Sequence, residues 1–286
     1  MATELEIKLT LSEPAQAEAF DWLRARAEAS EGPVKTLVNR YYDTPNAALN
    51  QARAALRVRQ AGDRYIQTLK TQGEFVNGAH RRQEWEWDLQ GPELDLALLE
   101  QTPLSDQIDL SELQLVFETN FQRRIIMLEQ GATVIEVAVD AGAVISGSKT
   151  RPLHEVEFEL KAGAAGKLLE TATALAQVVP VFLNLVSKAE QGYFLARIHQ
   201  PSMAVPEAPL NTVAFLHHVS LAWLTDEIVR LPPSSLAKID DIAEKSSLSS
   251  LWRPIAQALG SGLTVPELLE RYPGFGQLQL LLAASD

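Results

Sequence analysis

Charged and apolar residues alternate along residues 4–9. Glu4, Glu6 and Lys8 share one parity, and Leu5, Ile7 and Leu9 the other. A period of two predicts a strand with one charged and one apolar face. Strand patterns follow near 34–42, 54–60, 64–70, 82–89, 114–119, 121–129, 132–139 and 153–160. Turn chemistry separates several of them: Ala61-Gly62-Asp63, Asn77-Gly78 and Gln130-Gly131. Ala17, Phe20, Leu23 and Ala27 recur at helical spacing, which predicts a helix over 12–29 with Ser12 as N-cap and Pro14 in the first turn. Helical patterns return at 164–178 and 187–198. Many antiparallel strands with a few flanking helices predict an α+β fold, a barrel or strongly curved sheet.

After residue 200 the pattern changes. Pro201, Pro206 and Pro209 mark a linker over 201–210. Helical patterns at 211–231 and 236–285 follow, interrupted by Pro232-Pro233 and by Gly260 and Gly262. The expected organisation is a strand-rich domain over 1–200 and a helical region over 211–286.

The chemistry lies in the charged faces. Arg57 and Arg59 share a face, as do Thr68 and Lys70, Glu84 and Glu86, Glu136 and Asp140, and Glu157 and Glu159. One such strand reads as an antiparallel strand with its polar face in water. Repeated neighbours of like sign destabilise a surface sheet. A closed barrel supplies compensation across a cavity. Its lumen then holds Lys8, Arg57, Arg59, Lys70 and Arg123 beside Glu4, Glu6, Glu84, Glu86, Glu136, Asp140, Glu157 and Glu159. Arginines suit phosphate oxygens, and surplus carboxylates suit Mg²⁺ or Mn²⁺. Together they predict a site for a metal-bound polyphosphate.

Composition narrows the partners. The 286 residues carry a net charge of −12, which disfavours nucleic acid and anionic membranes. There is no cysteine, so disulfide, thiolate and cysteine–zinc chemistry are excluded. The first residues lack a signal-peptide pattern, and no apolar run reaches membrane-spanning length, so the expected location is the cytoplasm.

An ordered set of motifs resembles the CYTH superfamily, the triphosphate tunnel metalloenzymes. Glu4-Leu-Glu6-Ile-Lys8 resembles its ExExK signature, and Tyr42-Asp43-Thr44-Pro45 its YYDT(P) segment. Leu56-Arg57-Val58-Arg59, Thr68-Leu69-Lys70 and Arg82-Gln-Glu84-Trp-Glu86 follow in family order. Phe121-Gln-Arg123, Glu136 to Asp140, Glu157-Phe-Glu159-Leu and Ser187-Lys188-Ala-Glu190 complete it over about residues 1–200.

The resemblance implies an eight-stranded antiparallel tunnel and metal-dependent hydrolysis of inorganic triphosphate. It implies that Lys8, Arg57, Arg59, Lys70, Arg123 and Lys188 grip the substrate. Glu4, Glu6, Asp140, Glu157 and Glu159 would hold Mg²⁺ or Mn²⁺. Glu4, Glu6, Lys8 and Lys70 would form the catalytic core, with Glu84, Glu86 and Glu136 on the lumen wall. Class IV adenylate cyclases and thiamine or nucleoside triphosphatases resemble the same motifs, and a non-catalytic polyphosphate-binding tunnel is a third reading. The nearest subgroup carries a basic, histidine-rich CHAD region after the tunnel. Here residues 202–286 hold 9 acidic and 5 basic residues and only two histidines, His217 and His218.

Other residues have plainer readings. By parity Arg124 points outward, and Trp85 and Trp87 pack on the barrel exterior. His80 and His154 read as surface or loop residues, and His217-His218 as an accidental pair. On its pattern alone Lys188, at a helix start, reads as a solvated lysine.

Overall fold

A computed structural model describes residues 2–71, 73–76, 78–102, 104, 109–206 and 208–285. Asn77 of the expected turn and Glu207 of the expected linker lie outside them. The long strands run in chain order as β1 (Ala2–Thr10), β2 (Ala29–Asp43), β3 (Ala55–Ala61), β4 (Arg64–Lys70), β5 (Glu74–Val76), β6 (Ala79–Leu89), β7 (Gln114–Gln130), β8 (Thr133–Ser146) and β9 (Lys149–Ala162), followed by a short β10 (Phe182–Leu183). All pairings are antiparallel, in the order β10-β1-β9-β8-β7-β2-β3-β4-β6-β5, with a further pairing of β1 to β6. That pairing returns eight strands on themselves. The first half of β1 pairs β6, the second half pairs β9, and Glu6 takes part in both.

The alternation places charge inside and the apolar core outside. Ile7, Leu9, Val137, Val139, Val156 and Phe158 are fully buried on the outer face. Helices α1 (Glu13–Arg24) and α3 (Gly166–Ala176) cover that face, and a one-turn α2 (Ala48–Gln51) lies between β2 and β3. Each such side chain contributes about 1.5–3 kcal/mol by leaving water. Ser12 caps α1 by accepting from Ala15 N. The helix lays Ala15, Ala19 and Leu23 on the barrel at i, i+4 and i+8.

Several boundaries depart from the alternation pattern. The first helix stops at Arg24 rather than residue 29, because Ala29 and Ser30 pair with Leu128 and Met127. Cross-strand pairing thus overrides the helical propensity of this alanine-rich stretch. The expected strands 114–119 and 121–129 are one strand, since Asn120 pairs on both sides, with Val38 and Ala143. β8 and β9 extend to a tight hairpin at Gly147, whose φ of 57° suits glycine. Trp85 and Trp87 pack, as expected, on the outer face against a cluster with Leu49, Leu56 and Leu69.

The tail forms α5 (Thr212–Thr225), α6 (Pro233–Lys245), α7 (Ser249–Ser261), α8 (Val265–Arg271) and α9 (Phe275–Ala284), more broken than the 236–285 pattern suggests. Its core is continuous with that of the barrel exterior: Phe215, Val219, Trp252, Phe275 and Leu278 join the cluster containing Ile7 and Phe158. Gln279 accepts from Leu183 N and donates to Leu183 O, at 2.9 and 3.1 Å. Gly276 lies against the Val181 backbone so closely that a Cβ there would collide with the carbonyl. Among the described residues no helix is long and apolar enough to cross a membrane.

Candidate active site

The barrel encloses a cavity of about 1320 Å³. Its wall includes Glu4, Glu6, Lys8, Arg57, Arg59, Lys70, Glu84, Glu86, Arg123, Glu136, Glu157, Glu159 and Lys188. These are all the expected lumen and site residues except Asp140. Arg124 has the opposite parity and stacks over the Phe20 ring at 3.9 Å, on the α1 side.

Asp140 is fully buried behind the wall. Its two oxygens accept from Arg123 Nε and Nη2, each at 2.7 Å. The carboxylate expected among the metal ligands braces a guanidinium in this structure. Arg123 also donates to Glu157 Oε2 at 2.7 Å. Burial opposes its charge, but Asp140 and Glu157 hold it firmly protonated.

Lys188 is the first residue of α4 (Lys188–Leu195), which Ser187 and Glu190 cap reciprocally. Gly192 lets α4 seat directly on the Phe117 ring, leaving no room for a Cβ. That contact delivers the Lys188 ammonium into the lumen, 2.6 Å from Glu157, 2.7 Å from Glu155 and 3.0 Å from Asp140. Lys188 is buried, not the solvated lysine its position suggests, and the three carboxylates raise its pKa against the cost of burial. Glu157 is half-buried, which works to raise its pKa, yet Lys188 and Arg123 hold it well below the ordinary carboxylate range.

Glu155 is a participant the pattern analysis passed over. It shares parity with Glu157 and Glu159, and that signal could have revealed it. It is buried, pairs with Lys188, lies 3.9 Å from Lys8 and accepts from Gln191 at 2.9 Å. Lys8 Nζ also donates to the Val186 carbonyl, and burial lowers its pKa.

The opposite wall is less compensated. Arg57 reaches Glu84 only at 3.9 Å, and its Nε is buried with no hydrogen-bond partner among the described residues. Arg59 donates Nε to Asn39 Oδ1 at 2.7 Å, and among the described residues no carboxylate forms an ion pair with it. Burial, then the Arg57 and Arg123 charges, lower its pKa to about 9. Arg57 also touches the buried Tyr41 hydroxyl: burial would raise that phenol's pKa, but the arginines bring it down. An orphaned guanidinium nitrogen beside an unpaired guanidinium is an anion site in waiting.

Carboxylates line the remaining arc. Glu6 pairs in register with Glu159, and Glu159 with Glu136, so three glutamates stand side by side on β1, β9 and β8. Burial, and then the Glu4 and Glu136 charges, raise the Glu159 pKa, while Lys161 at 2.7 Å opposes them. Glu84 is raised likewise, by burial and by Glu4, against Lys70. Lys70 bridges the two, 2.7 Å from Glu4 and 3.0 Å from Glu84. Thr68, on the same face, donates to Glu86 at 3.3 Å. Among the described residues no three acidic or imidazole groups already converge as a metal cage. The wall offers instead a row of hard oxygen donors whose mutual repulsion a divalent cation would relieve.

The histidines depart from their surface or loop readings. His154, in β9, meets Gln16 Oε1 at 3.1 Å, and His80, in β6, packs edge-on to Phe75 and lines the cavity. His217 lines the cavity as well.

An inorganic triphosphatase from Haemophilus influenzae is 34% identical over 205 residues, 68% of this chain and 55% of that protein. The chain thus spans about half the length of the curated relative it matches. A solved Hippeastrum adenylyl cyclase candidate with a dominant triphosphatase activity superposes with a TM-score of 0.49 at 20% identity, covering 69% of this chain and 98% of that one. The mimivirus capping enzyme triphosphatase gives 0.38 at 10% identity, covering 62% and 89%. The CYTH domain pattern matches residues 2–193, and the chain belongs to that family.

Proposed function

We propose that this chain is a divalent-cation-dependent triphosphatase that cleaves inorganic triphosphate to diphosphate and phosphate. The observation that carries the reading is the asymmetry of the lumen. Arg57 and Arg59 present guanidinium groups without full partners, across the cavity from the registered row Glu6, Glu159 and Glu136. A polyanion with a bound cation satisfies both walls at once. The relative from Haemophilus influenzae bears the name inorganic triphosphatase, which supports the same reading.

In this reading Arg57 and Arg59 take phosphoryl oxygens first. Arg123 and Lys188 hold the chain from the other side, fixed by Asp140, Glu155 and Glu157. Lys8 adds charge at the base of the same group. Glu6, Glu159 and Glu136, with Glu4, are the residues that would hold Mg²⁺ or Mn²⁺. A bound cation neutralises phosphate charge and lowers the pKa of water. Asp140 and Glu157 are assigned to positioning cations rather than to ligating metal. Glu84 lies against Lys70 and near Arg57, and burial raises its pKa. It is the carboxylate best suited to take a proton from the attacking water. Phosphoryl transfer needs mainly positioning and charge stabilisation, which this lumen supplies.

A substrate panel tests the assignment. Inorganic tripolyphosphate, ATP and thiamine triphosphate are compared for phosphate release, and ATP also for cyclic AMP. Preferred release from tripolyphosphate supports the reading; cyclic AMP from ATP replaces it with a cyclase.

A further inference from the structure

The lumen wall also carries Lys161, a cation outside the proposed phosphate grip. It follows Glu155, Glu157 and Glu159 at the same parity on β9. The strand bulges at this point. Leu160 pairs with Ile135 and Ala162 with Val134, so Lys161 is the extra residue between them. A bulge re-aims a side chain, and bulges gather beside active sites. The chain just beyond is pinned. Gly163, with φ at 92°, leaves no room for a Cβ against Thr133, whose hydroxyl accepts from Ala164 N at 3.2 Å.

Lys161 Nζ lies 2.7 Å from Glu159 Oε1. Glu159 is the middle residue of the registered row Glu6, Glu159 and Glu136. Burial works against the ammonium charge, but Glu159 first, and then Glu136 and Glu4, raise its pKa above the ordinary lysine value. Three of the four carboxylates assigned to the divalent cation thus already act on one ammonium. Arg123 and Lys188 are locked between two and three carboxylates and are at most 14% exposed. Lys161 differs: its one ion-pair partner among the described residues is Glu159, and it is 39% exposed on a flexible stem. An ion pair this exposed is weak, so the ammonium is able to swing aside.

We propose that Lys161 is a resident stand-in for the divalent cation: its ammonium occupies the glutamate row in the metal-free chain and must swing away before Mg²⁺ or Mn²⁺ binds, which sets the metal concentration at which the enzyme becomes active. The proposal rests on the cation-dependent triphosphatase reading. One positive charge relieves the repulsion among the glutamates only in part, and a divalent ion that takes several oxygens at once displaces it. The same contact therefore stabilises the metal-free barrel and weakens metal binding.

The test is calorimetric titration with Mn²⁺, in the absence of substrate, of the full chain and of Lys161→Met and Lys161→Arg. The Met variant keeps an unbranched stem and removes the charge. Its Kd for Mn²⁺ should fall about three- to tenfold, the order expected for releasing one partly exposed ion pair and its neighbours. Lys161→Arg should stay closer to the parent than to the Met variant, because the competing charge remains. Thermal unfolding gives a second readout. Without metal the Met variant should melt below the parent, and Mn²⁺ should raise its Tm by more. An unchanged or higher Kd in Lys161→Met would overturn the proposal. So would a raised KM for tripolyphosphate at saturating Mn²⁺ with Kd unchanged, which makes Lys161 a phosphate contact instead. Absence of Mn²⁺ binding in the parent and both variants, with or without tripolyphosphate, would overturn the cation-dependent reading itself.

Discussion

Arg123 and Asp140 form a two-point pair, Nε to Oδ1 and Nη2 to Oδ2, both at 2.7 Å, with the carboxylate wholly out of reach of solvent. The carboxylate aims the guanidinium; it does not face the cavity. Asp140→Asn should therefore cut kcat/KM for tripolyphosphate about 10- to 100-fold and leave metal affinity unchanged. Asp140→Ala strands a buried charge and should cost about 3–5 kcal/mol of stability. Calorimetric titration with Mn²⁺ separates the two roles, because a true ligand would lose metal binding in the Asn variant.

Arg59 has the opposite profile. Its charge is disfavoured by burial and by two neighbouring arginines, and its firm partner is the neutral Asn39. Arg59→Met should leave urea stability equal or higher while weakening tripolyphosphate by about 1.5–3 kcal/mol, the usual worth of a hydrogen bond to a charged group. A fall in stability equal to the fall in binding would contradict this.

Acid should loosen the site through Glu157. Its pKa lies below the ordinary value of 4.5 in the folded chain, because Lys188 and Arg123 outweigh burial. A depressed carboxylate contributes stability above its unfolded pKa and loses it as pH falls through the folded one. Thermal unfolding followed from neutral pH to below 4.5 should show this loss, and Glu157→Gln should flatten that part of the profile.

The tail should be part of one folding unit with the barrel. Gln279 satisfies both the N–H and the carbonyl of Leu183, in the strand that pairs with β1. Gln279→Leu leaves both buried groups unpaired and should destabilise the whole chain by about 2–4 kcal/mol in a single urea transition. A separate early transition of the tail would show that the two parts fold independently.

The period-two alternation made the inside and outside of the barrel legible, because a strand side chain has only two directions. Repeated over several strands, it placed Arg57, Arg59, Glu157 and Glu159 on the lumen wall. What it could not convey was which residues meet across strands. Whether Asp140 faces a metal or braces Arg123 depends on the register of β7 against β8, and that is set by tertiary pairing. Glu155 was hidden for a related reason: only the approach of α4 turns it into a partner of Lys188. His217 sat in a polar-looking doublet whose place became clear only when α5 docked on the barrel. Helix ends were least legible, as at Arg24, where the alanine-rich continuation carries no stop signal and strand pairing decides.

The most direct test of the central claim is phosphate release from inorganic tripolyphosphate with Mg²⁺, Mn²⁺ or a chelator, for the parent chain, Arg57→Ala and Glu159→Gln. Turnover that requires the cation and falls at least about 100-fold in both variants is the predicted result, in line with the loss of a strong electrostatic contact. Turnover that persists in chelator, or that survives both substitutions, would place the chemistry outside this lumen.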